Sequence, residues 1–273
     1  MTAWKHAMIT GGGSGIGYGL TLRMLKRGTQ VSILDLNLPE EKKAALDSAA
    51  KAGGGRWEYF PMDICTVQEV DQAVAKAVRA FGSPDLALNC AGILINRPFV
   101  DLTPEEFHRV VNVNLNGSFH FARAAVPHLQ PGSRLALIAS LAGLTSNYGY
   151  AGYSASKFGV VGLATNLRFE LEPLGINVSC ICPGEIRTPM VAQEKVDAHP
   201  ASLELRKAAG SLDVDTACDQ IFSGLQRGKW QIIPGVRAKA VAMAYRLIPG
   251  IVFSLSGIWL KKILSKESSV TSS

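Results

Sequence analysis

Seven short apolar runs, each separated from the next by a stretch of helical periodicity, constrain this chain more than any single motif in it. The runs cover residues 7–10, 30–34, 57–61, 85–89, 134–140, 177–182 and 230–233. Helical patterns occupy residues 16–27, 40–52, 67–81, 104–129, 154–174 and 214–226. Alternation of this kind builds parallel strands with helices on both faces, and right-handed crossovers leave few topologies to choose from. The expected architecture is α/β, a doubly wound, seven-stranded parallel sheet in three layers. Residues 1–235 form that domain, and 236–273 follow as a helical extension. A hydrophobic share of 47% suffices to fill its core, and a charged share of 18% argues against disorder. The polar stretch 191–210 follows the sixth strand at the edge where such sheets bind ligands, and is expected to be a lid.

The first run leads straight into "MITGGGSGIG", which sets Gly11, Gly12, Gly13, Gly15 and Gly17 between a strand and a helix. Glycines there let the backbone turn tightly and approach a pyrophosphate, held against the partial positive charge of the helix N-terminus. Asp35 ends the second run, in "VSILDLN", 20 residues after Gly15. A carboxylate at that place can accept from adenosine ribose hydroxyls and would repel a 2′-phosphate. With no Arg or Lys beside it, and Ser14 where a base could have met that phosphate, NAD is expected over NADP. The plain alternative makes Asp35 a solvated strand-end residue.

Tyr153 and Lys157 are four apart in a helical pattern, so their side chains share a face. A phenol ionises near pH ~10 and is a poor base at neutrality. A nearby ammonium and an oxidised nicotinamide would lower that value, letting Tyr153 exchange a proton with an alcohol or ketone. Ser140 lies 13 residues earlier, at the end of the fifth run.

In chain order come TGxxxGIG (Thr10 to Gly17), Asp63, "NCAG" (Asn89 to Gly92), "NVNLNG" (Asn112 to Gly117), Ser140, "YSASK" (Tyr153 to Lys157) and "PGEIRT" (Pro183 to Thr188). Over residues 5–235 this set resembles the short-chain dehydrogenase/reductase family. The resemblance implies a Rossmann fold and an NAD(H)-dependent interconversion of a secondary alcohol and a ketone. It implies a catalytic set of Asn114, Ser140, Tyr153 and Lys157. Ser140 would hydrogen-bond the substrate oxygen, Asn114 would position a water linking Lys157 to solvent, and Lys157 would also bind the nicotinamide ribose. For the cofactor it implies Gly11, Gly13, Ser14, Gly15, Ile16 and Asp35, then Asp63 and Ile64 at the adenine. Asn89, Ala91 and Gly92 would cover the adenosine side. Ile186 and Thr188 would meet the carboxamide, with Pro183 and Gly184 also on the cofactor side. Cys90 stands where the family often has a second Asn, a departure that touches no chemistry. Asn112 and Asn116 are expected on a helix surface.

Other features limit the reading. The five cysteines, an odd number, show no framework spacing and suit a reducing cytoplasm. Cys180 and Cys182 share one strand pattern and are expected on opposite faces of the sheet. None of His6, His108, His120, His128 and His199 has ligand spacing, so no metal is expected. No leader is expected before the first strand, since "KHAMIT" reaches the glycine turn within ten residues.

The net charge of +6 sits unevenly. Between residues 220 and 266 lie Arg227, Lys229, Arg237, Lys239, Arg246, Lys261, Lys262 and Lys266 and no acidic residue, which leaves 20 basic against 22 acidic residues elsewhere. The same segment holds an uncharged run of 14 residues, 247–260, broken by Pro249-Gly250. It is short of the ~20 that span a bilayer. Two readings stay open: helices covering the body or another subunit, or a peripheral foot on anionic membrane through 236–266, with Trp259 at headgroup depth. Localisation is then cytoplasmic, or peripheral at the inner face of a membrane. Such extensions resemble those of family members that handle lipids or steroids, and the family implies a homodimer or homotetramer.

"SLAGLTSNYGYAGY" (residues 140–153) offers a small, mostly apolar wall without Arg or Lys, and Met190 and Val191 extend it. An apolar, uncharged, lipid-like or steroid-like substrate is expected. The alternatives are an NADPH-dependent 3-oxoacyl or 3-ketosphinganine-type reductase, or a non-catalytic NAD-binding scaffold. The basic tail lacks the interleaved aromatics of a nucleic-acid binder, and no nucleic acid is expected.

Overall fold

The computed structural model describes residues 4–188, 190–192, 194, 198–207 and 210–270, the last five by their backbone alone. Residues 193, 195–197, 208 and 209 of the expected lid lie outside the described set.

The seven expected strands form one sheet: β1 (His6–Thr10), β2 (Gln30–Asp35), β3 (Arg56–Pro61), β4 (Leu86–Asn89), β5 (Arg134–Ile138), β6 (Asn177–Ile181) and β9 (Gln231–Ile232). Their order is β3-β2-β1-β4-β5-β6-β9 and every pairing is parallel, so this is a Rossmann-type sheet. Because side chains alternate along a strand, each central strand supplies both core layers. Met8, Leu34, Ala87, Leu135, Leu137 and Val178 face one layer, with α3 (Val67–Phe81), α5 (Gly117–Ala125) and α6 (Ala151–Leu171). Ala7, Ile9, Val31, Ile33, Leu86, Leu88 and Ala136 face the other, with α1 (Gly15–Leu25), α2 (Glu40–Gly53) and α8 (Val214–Gln226).

Four expectations change. Residues 104–129 are not one helix: α4 (Pro104–Val111), capped by a Thr103–Glu106 box, passes through a π turn over Asn112–Asn116 into α5, then a 3₁₀ turn at Val126–His128. Cys180 and Cys182 share a face, since positions two apart on a strand point the same way. Their sulfurs lie 3.7 Å apart in the same core layer. Two short strands escaped periodicity altogether: β7 (Glu185–Ile186) pairs in parallel with β8 (Ser211–Leu212), bracketing the lid stretch and its described helix α7 (Pro200–Arg206). Met190, expected to extend the apolar substrate wall, lines the glycine-loop cleft instead.

The extension forms α9 (Val236–Leu247) and α10 (Pro249–Val270), bent by 114°. Ile248 has φ −134° and ψ 50°, outside the helical region, as expected for a residue that precedes proline. Pro249 then starts α10, where its missing N–H is harmless. Among the described residues no single helix is long and apolar enough to cross a membrane.

Candidate active site

The carboxyl ends of the strands open into two cavities that share a wall. The larger, about 640 Å³, begins at the glycine turn. Gly11 has φ +61°, and a Cβ there would stand 2.8 Å from the Ala91 nitrogen, so no other residue fits without displacing backbone. Gly11, Ser14, Gly15, Ile16, Asp35, Asp63, Ile64, Ala91, Gly92, Tyr153, Lys157, Pro183, Gly184, Ile186 and Thr188 all line this cleft. Gly13 and Asn89 stand behind its wall. The Gly13 N–H donates to Asp35 Oδ2 at 2.8 Å, while buried Asn89 accepts from Thr10 and donates to Ser118 Oγ at 2.8 Å. Arg109 and Asn112 also line the cleft, so Asn112 is more than a helix-surface residue.

Asp35 takes one backbone donor on each oxygen, Gly13 and Leu36, which holds the carboxylate rigid and still leaves it lone pairs. Helix α2 adds a cation that reading along the chain missed. Lys42 Nζ donates to the Gly13 carbonyl and stands 5.1 Å from the Tyr18 ring centre.

Three irregular elements position the remaining groups. Ser140 caps the 3₁₀ turn Leu141–Gly143, its Oγ accepting from Ala142 N at 3.1 Å. A Cβ on Gly143 would stand 2.6 Å from the Lys157 carbonyl, so that turn packs directly on α6, which carries Tyr153 and Lys157. Lys157 Nζ donates to Ile138 O at 3.0 Å and lies 5.7 Å from the Tyr153 ring centre. The π turn buries Asn114, whose side chain bonds both the N–H and the carbonyl of Ile93 and reaches Ser156 Oγ at 3.0 Å. Ser156 in turn donates to the Tyr153 carbonyl at 2.7 Å. This serine, unremarked in the sequence, ties Asn114 to the turn of α6 that holds the phenol.

The smaller cavity, about 410 Å³, shares Ser140, Tyr153, Gly184 and Val191 with the first. Leu94, Leu141, Ala142 and Leu205 make much of its wall, and its roof is the extension: Val241, Ala244 and Tyr245 from α9, then Val252, Phe253, Ser256 and Trp259 from α10. The expectation of a wall without Arg or Lys holds for residues 140–153 but not in space, because α7 brings Arg206 to this chamber beside Glu185. Among the described residues no group of His, Cys, Asp or Glu could hold a metal ion.

The family model described as short chain dehydrogenase matches residues 5–199. The chain belongs to that family. As a short chain dehydrogenase it is an oxidoreductase. It is 31% identical over 195 residues to a D-beta-hydroxybutyrate dehydrogenase of Rhizobium meliloti, covering 71% of this chain and 76% of that one. It is 34% identical over 235 residues to 3-dehydrosphinganine reductase TSC10B of Arabidopsis thaliana, covering 84% and 69%. The crystal structure of a dehydrogenase/reductase from Sinorhizobium meliloti 1021 superposes with a TM-score of 0.73 at 30% identity, over 86% of this chain and 95% of that one.

In this short chain dehydrogenase, burial sets the ionisation of the central pair. The Tyr153 phenol is pushed up to about 12 by burial, against a hydrogen bond with Ser140 that pulls it down. The Lys157 amine is pushed down to about 8 by the same cause. The lowering of the phenol is expected from the ammonium and an oxidised nicotinamide together; with Lys157 Nζ directed at Ile138 O, burial outweighs the protein's own groups. The drop that a base needs requires further positive charge in the cleft.

Proposed function

We propose that this short chain dehydrogenase is NAD(H)-dependent and interconverts a secondary alcohol and a ketone on an apolar, lipid-like or steroid-like substrate. The observation that carries this is the shared wall: Ser140 and Tyr153 front both the glycine-loop cleft and the apolar chamber. The cleft suits a dinucleotide, with a crowded glycine turn at one end, a fixed carboxylate for ribose hydroxyls, and Asp63 with Ile64 further along. NAD⁺ held there would supply a hydride acceptor and a positive charge to the cleft that Tyr153 lines.

The chain's own groups then divide the work. Ser140 Oγ donates to the substrate oxygen and holds charge that develops on it. Tyr153 Oη takes the hydroxyl proton in oxidation and returns it in reduction. Lys157 keeps positive charge beneath that site, and the Asn114–Ile93 bonds hold the 91–93 backbone over it. A Cβ on Gly92 would stand 3.1 Å from Asn114 Oδ1 and 3.5 Å from Lys157 Nζ, so amide and amine converge where a water could relay a proton. The helical roof keeps the reacting carbon dry.

Tyr153→Phe should cut turnover by at least about 10³-fold while NAD binding, read by titration, stays within a factor of two. Unchanged turnover would end the mechanism and favour a scaffold that only binds the dinucleotide. One observation favours the NADPH-dependent reductase as a second reading. Lys42 reaches the glycine loop close to Asp35, where it could meet a 2′-phosphate. The relative named for 3-dehydrosphinganine also matches over 84% of this chain. A wild-type preference for NADPH over NADH decides for that reading.

The same proposal makes the extension a peripheral foot on anionic membrane. Along α10, Val252, Ser256 and Trp259 line the chamber, while Ile251, Leu255 and Ile258 point outward at 57%, 62% and 66% exposure. A helix apolar on two faces has one face left to cover. Arg237, Lys239, Arg246, Lys261 and Lys262 lie on the same two helices, with no acidic residue between 220 and 266, which suits anionic headgroups. Exposed Phe119, Phe158 and Phe169 on α5 and α6 support self-association as a homodimer or homotetramer. These surfaces fit a cytoplasmic enzyme held peripherally at the inner face of a membrane.

A further inference from the structure

Tyr150 stands where the lid stretch meets the first turn of α6, and each part of it is held from a different side. Its carbonyl accepts from Ser154 N at 2.6 Å, the first hydrogen bond of the helix. Its ring meets the Tyr153 ring edge-on, at 5.2 Å between centres. Its hydroxyl donates to Glu194 Oε1 at 3.0 Å and accepts from Arg206 Nη1 at 2.9 Å, and the same Nη1 donates to Glu194 Oε2. Asn96 Nδ2 donates to Glu194 Oε1 at 2.6 Å and to Ser202 Oγ of α7 at 2.8 Å, while Asn147 Nδ2 reaches that Ser202 Oγ at 3.1 Å. The Glu194 and Arg206 side chains keep 1% and 11% of their exposure, and Tyr150 keeps 5%. A Cβ on Gly149, at φ +75°, would collide with Asn96 Oδ1, so the loop before α6 packs tightly against this cluster. Helix α6 itself begins without a side-chain cap at Tyr150, which leaves lateral contacts to place its first turn.

We propose that Tyr150 is a positioning residue, through which Glu194 and Arg206 of the lid stretch set the Tyr153 phenol against the substrate oxygen. This rests on the reading of Tyr153 as the group that exchanges the proton. Stability alone does not call for such a cluster, since apolar side chains of equal volume often hold a buried contact at least as well as an ion pair. Donors fixed on both oxygens of Glu194 instead specify one arrangement. The inner support of the same turn comes from the π turn, through Asn114 and Ser156. The phenol therefore stands between a support built into the sheet domain and one supplied by the lid. Charge acts beside geometry: burial raises the phenol most, the Ser140 hydrogen bond lowers it, and then Glu194 raises it and Arg206 lowers it. The other ionisable groups around it are Lys157, 5.7 Å from its ring centre, and Glu185 of β7, which lines the same chamber. Neither is altered in the test.

The test follows oxidation of a short secondary alkanol, a long-chain secondary alkanol and a hydroxysteroid by the full-length protein across pH, with whichever dinucleotide the wild type prefers. Tyr150→Phe keeps the ring and removes only its tether. It should cut kcat about ten-fold by a similar factor on all three substrates, while KM and dinucleotide affinity stay within about two-fold. Both lid charges remain in that variant, so the acidic limb of its kcat/KM profile should stay in place. Glu194→Gln removes the carboxylate and leaves the guanidinium, and should move that limb to lower pH. The position of a limb is read within one preparation, so partial misfolding does not move it. Wild-type kcat in Tyr150→Phe overturns the inference. So does a loss confined to one substrate, which would mean that the hydroxyl touches substrate directly. A raised KM with kcat kept, or a limb unmoved in Glu194→Gln, reduces the cluster to packing and overturns it too. If wild type turns over no probe with either dinucleotide, the parent reading falls and this one with it; wild-type turnover that Tyr150→Phe leaves intact removes this one alone.

Discussion

Lys157 holds its proton against its surroundings. Its amine has an ordinary value of 10.5 and is pushed down to about 8 by burial. Between those values the unfolded chain keeps a proton that the folded chain has released, so stability rises with pH across the window and is lost again as pH falls through 8. The difference amounts to roughly 3 kcal/mol. Lys157→Met should abolish turnover, and the wild-type gain in unfolding free energy from pH 7 to 10.5, measured in urea, should shrink by about that amount. Superimposable profiles for the two proteins would mean that the amine is solvated. At this scale the sequence was most legible where partners are close along the chain. Tyr153 and Lys157 lie one helical turn apart, and Ser140 follows directly from a strand. Arg206 and Lys42 were illegible because their partners, Tyr150 and Gly13, come from distant segments that only the tertiary fold brings together. Asn89 was legible only in part: its motif marks the right turn, while its amide points back to Thr10 and Ser118.

Elements with a long period were read well, and those with none were not. All seven strands of the main sheet lie where apolar runs placed them, because a strand buried on both faces has to be apolar throughout. The π turn at Asn112–Asn116 was hidden because one extra residue in a turn barely disturbs the apolar spacing of the helices on either side. β7 and β8 have two residues each, too few to show any alternation. The break at Pro249 was legible because proline acts locally, whereas the role of α10 as a roof was not. That role yields a prediction for the element. Trp259→Ala removes an indole from the chamber wall and should raise KM for long apolar alcohols by about ten-fold, the effect of losing ~1.4 kcal/mol of contact, while NAD affinity is unchanged. An equal loss of NAD affinity would mean that α10 braces the whole domain.

Across the whole molecule, the excess of cations and one row of exposed apolar side chains fall on the same segment. The cations that make the chain basic follow residue 220, on the same segment whose outward face carries Ile251, Leu255 and Ile258. Leu255→Glu combined with Ile258→Glu should abolish flotation of the full-length protein with anionic vesicles at low salt, and should leave binding to neutral vesicles undetectable in both proteins. Equal flotation of wild type and variant, or none by either, would leave the tail as a clasp on the body or on another subunit. A separate consequence concerns the two-residue pairing of β7 with β8. It pins both ends of the chain between residues 187 and 210, with Arg187 N donating to Leu212 O at 2.9 Å beyond the ladder itself. A pinned loop loses closure entropy only as the logarithm of its length, ~0.6 kcal/mol for each doubling. Insertions and deletions in this stretch can therefore accumulate over generations and reshape which molecules are accepted, while the sheet that carries the reaction stays as it is.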